Sequence, residues 1–194
     1  HNGTKVWSWS VFDEMNPLKD PNILRDKSDW LHANSLCIDK DGNYFVSFYL
    51  SGQIWKINSK TGKIIWKMGR SADFKFPDGD EFFESHDVHF TPQNDMILFE
   101  NGTNKQQSRV WIYALDETNR EANSKLKVAL PSYLYSARMG SAYQIDSTIL
   151  VCSSQARSVV LTNEKGDIIW QLRLGFIPYR AEVIDSAAFF HKLR

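Results

Sequence analysis

Two stretches far apart in the chain carry the same order of apolar and polar positions: "IWKINSKTGKIIWKMG" at 54–69 and "SVVLTNEKGDIIWQLRLG" at 158–175. Each reads as an alternating strand, a glycine-containing turn and a second strand opening on Ile-Ile-Trp, which predicts a β-hairpin. Between them lies a degenerate copy with a longer polar connection, "SRVWIYALDETNREANSKLKVALP". Upstream of each hairpin comes another pair of apolar runs: "HANSLCIDKDGNYFVSFY", "HDVHFTPQNDMILFEN" and "GSAYQIDSTILVCSS". Each pair is split by a polar turn carrying Asp, Asn or Gly.

The period is on the order of 50 residues, where repeated β units mean propeller blades or related arrays. The expected fold is therefore all-β, with blades of four antiparallel strands over about residues 31–69, 85–131 and 138–175. "TKVWSWSVFDEM" within residues 1–30 is expected as an outer strand of a preceding blade, followed by a long loop from Glu14 to Trp30. Residues 176–194 are expected to begin a following blade. Three blades with partial ends do not close a ring, because propellers normally close with about four to eight. A partner chain or a further propeller segment is expected to complete it.

Charge and composition narrow the classes. Lys+Arg and Asp+Glu both total 23 in 194 residues, so the formal charge is zero. No basic field is available to hold a nucleic-acid backbone. No apolar run approaches the roughly 20 residues that cross a bilayer. The chain begins at His1 rather than Met, which points to a processed product or a fragment. Cys37 and Cys152 both fall in strand-like segments, and free thiols or a disulfide are both open.

In a propeller the first strand of each blade lines the central channel. The starts of these strands present His32 and Asn34 in "LHANS", His86 and Asp87 in "SHDVH", Arg138 in "SARMGSA", and Arg180 and Glu182 in "PYRAE". Imidazoles with guanidinium groups suit an anionic ester: Arg forks match tetrahedral oxyanions, and neutral imidazole can act as base or nucleophile. Strict alternation would put His86 and Val88 on one face and Asp87 with His89 on the other. On that reading the two histidines cannot share a metal, and no metal or cofactor is expected. His89 is expected to be a hydrogen-bonded blade residue. The triplets at Asn2 and Asn101 match the glycosylation acceptor, and are read instead as turn residues.

Taken together, "DWLHANS", the D-G-N turn, the "KTGKIIW" hairpin, "SHDVHF" and "ENG" followed by "SRVWIYALD" resemble the arylsulfotransferase family, the bacterial aryl-sulfate sulfotransferases. The likeness runs from about Trp7 to Glu182. It implies a six-bladed propeller and ping-pong transfer of a sulfuryl group from an aryl sulfate to a phenol, without a nucleotide donor. It implies His86 as the nucleophile that becomes sulfohistidine and His32 as the group assisting at the bridging oxygen. Asn34, Tyr49, Arg138 and Arg180 are the expected substrate-binding residues, and a periplasmic or secreted address follows from the resemblance.

The chain departs from the family pattern at three places. Tyr49 in "SFY" stands where the family carries an arginine, "SHD" replaces Q-H-D, and a further histidine from an earlier blade has no counterpart. The first departure motivates a rival reading, a non-catalytic propeller segment that binds a ligand or protein. A third reading, a hydrolase or lyase with Asp87 orienting His86, ranks last, because strand alternation puts that aspartate on the opposite face.

Overall fold

Asparagine or aspartate starts every outer hairpin, and its side chain builds the turn. Asn58 Oδ1 accepts from the backbone N–H of Lys60 and Thr61 at 3.0 and 2.9 Å, and Asn163 Oδ1 from Lys165 and Asp167 at 2.9 Å each. Asp116 does the same with Thr118 and Asn119. Such local bonds pre-form the turn before the strands pair. In the first and third hairpins a glycine at positive φ, Gly62 and Gly166, completes the reversal.

The computed structural model of the chain describes residues 2–19, 29, 31–77 and 79–184. Twelve strands form three four-stranded antiparallel sheets. The first holds β1 (Ala33–Ile38), β2 (Tyr44–Phe48), β3 (Gln53–Ile57) and β4 (Ile64–Gly69). The second holds β5 (Ser85–Phe90), β6 (Met96–Glu100), β7 (Arg109–Asp116) and β8 (Glu121–Ala129). The third holds β9 (Ser141–Ile145), β10 (Thr148–Ser153), β11 (Ser158–Asn163) and β12 (Ile168–Arg173). Within each sheet the strands follow chain order, and β1, β5 and β9 lie at the inner edge. These are propeller blades.

The degenerate middle hairpin owes its length to its strands: β7 and β8 run for 8 and 9 residues, and only residues 117–120 connect them. The polar stretch expected as connection is mostly strand.

Face-to-face packing of successive blades supplies two cores. Phe45, Ile54, Trp66 and Met68 of the first blade meet Val88, Met96, Leu98 and Trp111 of the second. Ile97, Phe99, Val110 and Val128, on the other face of the second blade, meet Ala142, Ile149, Val151 and Val160 of the third. Each large side chain removed from water contributes about 1.5–3 kcal/mol. On the outward faces Leu36 and Ile38 of β1 and Ile169, Trp170 and Leu172 of β12 stay exposed, while Phe48 and Trp55 of the first blade are buried beneath Trp9, Val11 and Met15.

Residues 2–10 are not the outer strand expected of them. They run without regular structure beside the first blade, where Trp9 donates its indole N–H to Gly62 O at 2.7 Å and Trp7 packs on Tyr44. Most of the expected long loop, residues 20–28 with Trp30, and residues 185–194 of the expected fourth blade lie outside the described residues. Residues 174–184 carry no strand, although Ser141 Oγ and Ala181 exchange hydrogen bonds at the inner edge of the third blade. Cys37 and Cys152 are free thiols, the first half-buried and the second buried.

Candidate active site

A β-bulge in β5 sets the geometry of the site. His86 pairs with Phe99 and His89 with Ile97, so three steps along β5 match two along β6. Asp87 absorbs the extra residue at φ +54°. Directly opposed residues share a face, and Phe99 and Ile97 both face the third blade. His86 and His89 therefore lie on the same face, which corrects the alternation expected of this stretch. Val88 turns the other way, into the core between the first two blades.

The two histidines nonetheless have separate surroundings. His89 holds its Nδ1 2.9 Å from the carbonyl of Asp87 and packs its ring on Tyr143, with centroids 4.5 Å apart. Among the described residues no group of three or more His, Cys, Asp or Glu side chains is placed to hold a metal ion. His86 sits at the wall of a cavity of about 560 Å³, lined also by His32, Tyr49 and Arg138. Asp29, Leu50, Met139 and Tyr179 complete the lining.

His86 is only 5% exposed, and its Nδ1 lies 2.6 Å from Asn101 Oδ1. Burial pushes its pKa down to about 4; the Asn101 hydrogen bond opposes this, and the charges of His32 and Arg180 reinforce it. The ring is thus neutral at pH 7. Tyr49 stands between the two cavity histidines, its ring centroid 5.2 Å from His86 and 5.7 Å from His32. Its hydroxyl donates to Ala137 O at 2.7 Å. Burial, reinforced by Glu84, raises the pKa of this phenol.

His32 adopts φ +56°, its Nδ1 hydrogen-bonded to the carboxylate of Asp29, with nearly half of the side chain open to solvent. Arg138, an exposed residue, lines the cavity and makes no ion pair among the described residues.

Asn34 and Arg180 are not among the residues lining this cavity. Asn34 ties the first blade to the second by donating to Ser85 O at 2.8 Å, because its strand runs directly against β5. Arg180 is drawn to the buried carboxylate of Asp87, 3.4 Å away, and to Glu182. Burial pushes the Asp87 pKa up to about 7, against the pull of Arg180 and of the Ala142 N–H.

Asp29 and Asn101 are the polar groups that the strand-start reading left out. Asp29 lies three residues before His32, a spacing that a Asp-x-x-His search would find. Asn101, read as a turn residue, is fully buried directly after β6. Both hydrogens of its side-chain amide are donated to protein carbonyls, so it offers no exposed glycosylation acceptor.

The arylsulfotransferase (ASST) family model matches residues 1–172. This chain belongs to the arylsulfotransferase (ASST) family. A search of curated proteins finds no match. Among solved structures, this chain is similar to a protein of unknown function from Bacteroides caccae, with TM-score 0.57, 15% identity, and coverage of 79% of this chain and 50% of that one. It is also similar to hydrazine synthase of Kuenenia stuttgartiensis, with TM-score 0.50, 9% identity, and coverage of 79% and 39%. At such identities the likeness is one of fold. The chain spans half or less of the length of these structures. No described helix is long and apolar enough to cross a membrane.

Proposed function

We propose that this chain carries the sulfuryl-transfer site of an arylsulfotransferase, with His86 as nucleophile. One observation carries the reading: a buried imidazole, neutral at pH 7, faces a cavity that also holds a second histidine and an arginine with no carboxylate partner among the described residues. Desolvation keeps the His86 lone pair available, since an exposed histidine would be partly protonated near neutrality.

In the first half-reaction His86 Nε2 attacks the sulfur of an aryl sulfate. The N–S bond forms as the S–O bond to the phenol breaks, and His32 gives its proton to the departing oxygen. In the second half-reaction an acceptor phenol loses its proton to His32, its oxygen forms a new S–O bond, and the N–S bond of the sulfohistidine breaks. Negative charge spreads over the three equatorial oxygens, where the Arg138 guanidinium can meet it, as cationic donors do in phosphoryl transfer. Asp29 holds His32 by Nδ1 and so directs Nε2 towards substrate. Arg180 adds its field from beside Asp87. Tyr49 takes part as an aromatic wall.

Further blades, from a longer chain or a second copy, are part of this proposal. The exposed apolar faces of β1 and β12 support it. Export to the periplasm or cell exterior follows from the family. The test is incubation with a chromogenic aryl sulfate and a phenol, followed by peptide mass spectrometry. Turnover with a sulfuryl adduct on His86, both absent in His86→Ala, is expected; equal turnover in the two proteins overturns the reading.

A second reading, a non-catalytic binding module, has its own observation. Tyr49 replaces a cation with a neutral phenol whose hydrogen is committed to Ala137, leaving Arg138 as the cavity's guanidinium. Ligand binding without any adduct on His86 would favour it.

A further inference from the structure

We infer that Asn101 is a positioning residue that holds His86 in the Nδ1–H tautomer and so aims an unprotonated Nε2 into the cavity; this rests on the reading of His86 as nucleophile. Asn101 Nδ2 lies 2.9 Å from Ser136 O and 2.8 Å from Met139 O. A backbone carbonyl can only accept, so the atom facing both must be the amide nitrogen. The amide oxygen is thereby turned to His86, 2.6 Å from Nδ1. That oxygen is also an acceptor only, which requires Nδ1 to carry the hydrogen. In the neutral ring, Nε2 is then the lone-pair nitrogen.

The opposite arrangement is strongly disfavoured. Flipping the amide would bring its oxygen against two buried carbonyls and leave both without this donor. The frame around it is tied on all sides: Asn101 N–H donates to Glu84 O at 2.8 Å, and Ser108 Oγ donates to Asn101 O at 3.1 Å. The Ser136–Met139 loop is held by Ser136 N–H to Ser108 Oγ at 3.0 Å and by Ser136 Oγ to Arg138 O at 2.7 Å. Gly140 lets the loop approach. It sits at φ +126°, and a Cβ there would lie 2.5 Å from the Phe99 ring. A free imidazole exchanges between tautomers, and only one presents a lone pair at Nε2. Asn101 removes that choice, an ordering made in advance of substrate.

The experiment is a proton–nitrogen correlation spectrum of the whole chain with ¹⁵N-labelled imidazole, His86 assigned by comparison with His86→Gln. At neutral pH the wild type is expected to show His86 with Nδ1 protonated and Nε2 of pyridine type. A proton on Nε2, or on both nitrogens, overturns the inference; should His86→Gln not fold, the ring signals are assigned in the wild type by through-bond correlation to the His86 backbone. Asn101→Asp puts a carboxylate beside Nδ1 but loses the amide donors to Ser136 and Met139; where it folds, the ring is expected to keep Nδ1 protonated and its titration to move to higher pH, and a ring carrying its proton on Nε2 instead would count against the inference. In Asn101→Ala the ring is expected to populate both tautomers, with adduct formation slowed by roughly two- to tenfold, since only the fraction of rings in the Nδ1–H tautomer can attack. The predicted tautomer without any sulfuryl adduct would uphold the positioning role and sink the transferase reading. An adduct formed through the other tautomer would do the reverse.

Discussion

Tyr49 in the first blade and Ala137 at the entrance to the third are joined by a 2.7 Å hydrogen bond across 88 residues of chain. The position where the resemblance leads one to expect an arginine serves as a strut. A phenol has one hydrogen to give, and giving it to a backbone carbonyl leaves the ring rather than the hydroxyl to face substrate.

Tyr49→Phe is therefore expected to act on stability. Losing the bond costs about 1 kcal/mol, with the Ala137 carbonyl left to find water. The melting temperature should fall by roughly 2–4 °C for a domain of this size, measured by circular dichroism or calorimetry.

Opposed titrations at neighbouring positions give a second expectation. His86 is depressed to about 4 from 6.5, so the unfolded chain binds that proton more readily, and stability present above pH 6.5 is lost as pH falls towards 4. Asp87 is raised to about 7 from 3.8, so its contribution is present below about pH 4 and lost as pH rises through 7. Asp87→Asn removes only the second effect. Its stability relative to wild type should climb from pH 4 to 7, by at most about 1.4 kcal/mol per pH unit, and then level off. Urea denaturation of both proteins over a pH series measures this; a flat difference would mean the carboxylate titrates as an ordinary aspartate.

Leaving-group dependence isolates His32. If it supplies the proton to the departing oxygen, His32→Gln should slow aryl sulfates of weakly acidic phenols by ~10²–10⁴-fold. Nitrophenyl sulfate, whose phenolate leaves unaided, should be nearly unaffected. A plot of kcat/KM against phenol pKa should be steeper in the variant, and parallel plots would assign the proton to another group.

The repeat was legible because each outer hairpin opens on an Asx turn, and the first and third add a glycine at positive φ and an Ile-Ile-Trp strand that buries its tryptophan or lays it on an open face. The cavity was legible in part. His32, Tyr49, His86 and Arg138, drawn from strand starts or strand ends, meet there. Arg180 lies outside the cavity lining, and nothing local reveals that Asp87, turned by the bulge, lies within its reach. The bulge itself was hidden, since the His-Asp-Val-His run carries no glycine to mark it and alternation describes only regular strands. Asn101 was hidden by its company: Asn-Gly spells a turn by composition, and only tertiary contacts reveal two carbonyls waiting for its amide. The N-terminal segment reads as a strand by pattern, yet its tryptophans spend their apolar surface on the first blade.

Ser136, Ala137 and Met139 grip Tyr49 and Asn101 through main-chain oxygens alone. At Ala137, which contributes only its carbonyl, such a grip is indifferent to the side chain the position bears. Residue 137 can therefore be exchanged to suit new donors and acceptors while the imidazole keeps its aim, whereas lengthening or shortening the loop by one residue would disturb both rings at once. This corner of the molecule is open to retuning by substitution and closed to it by insertion.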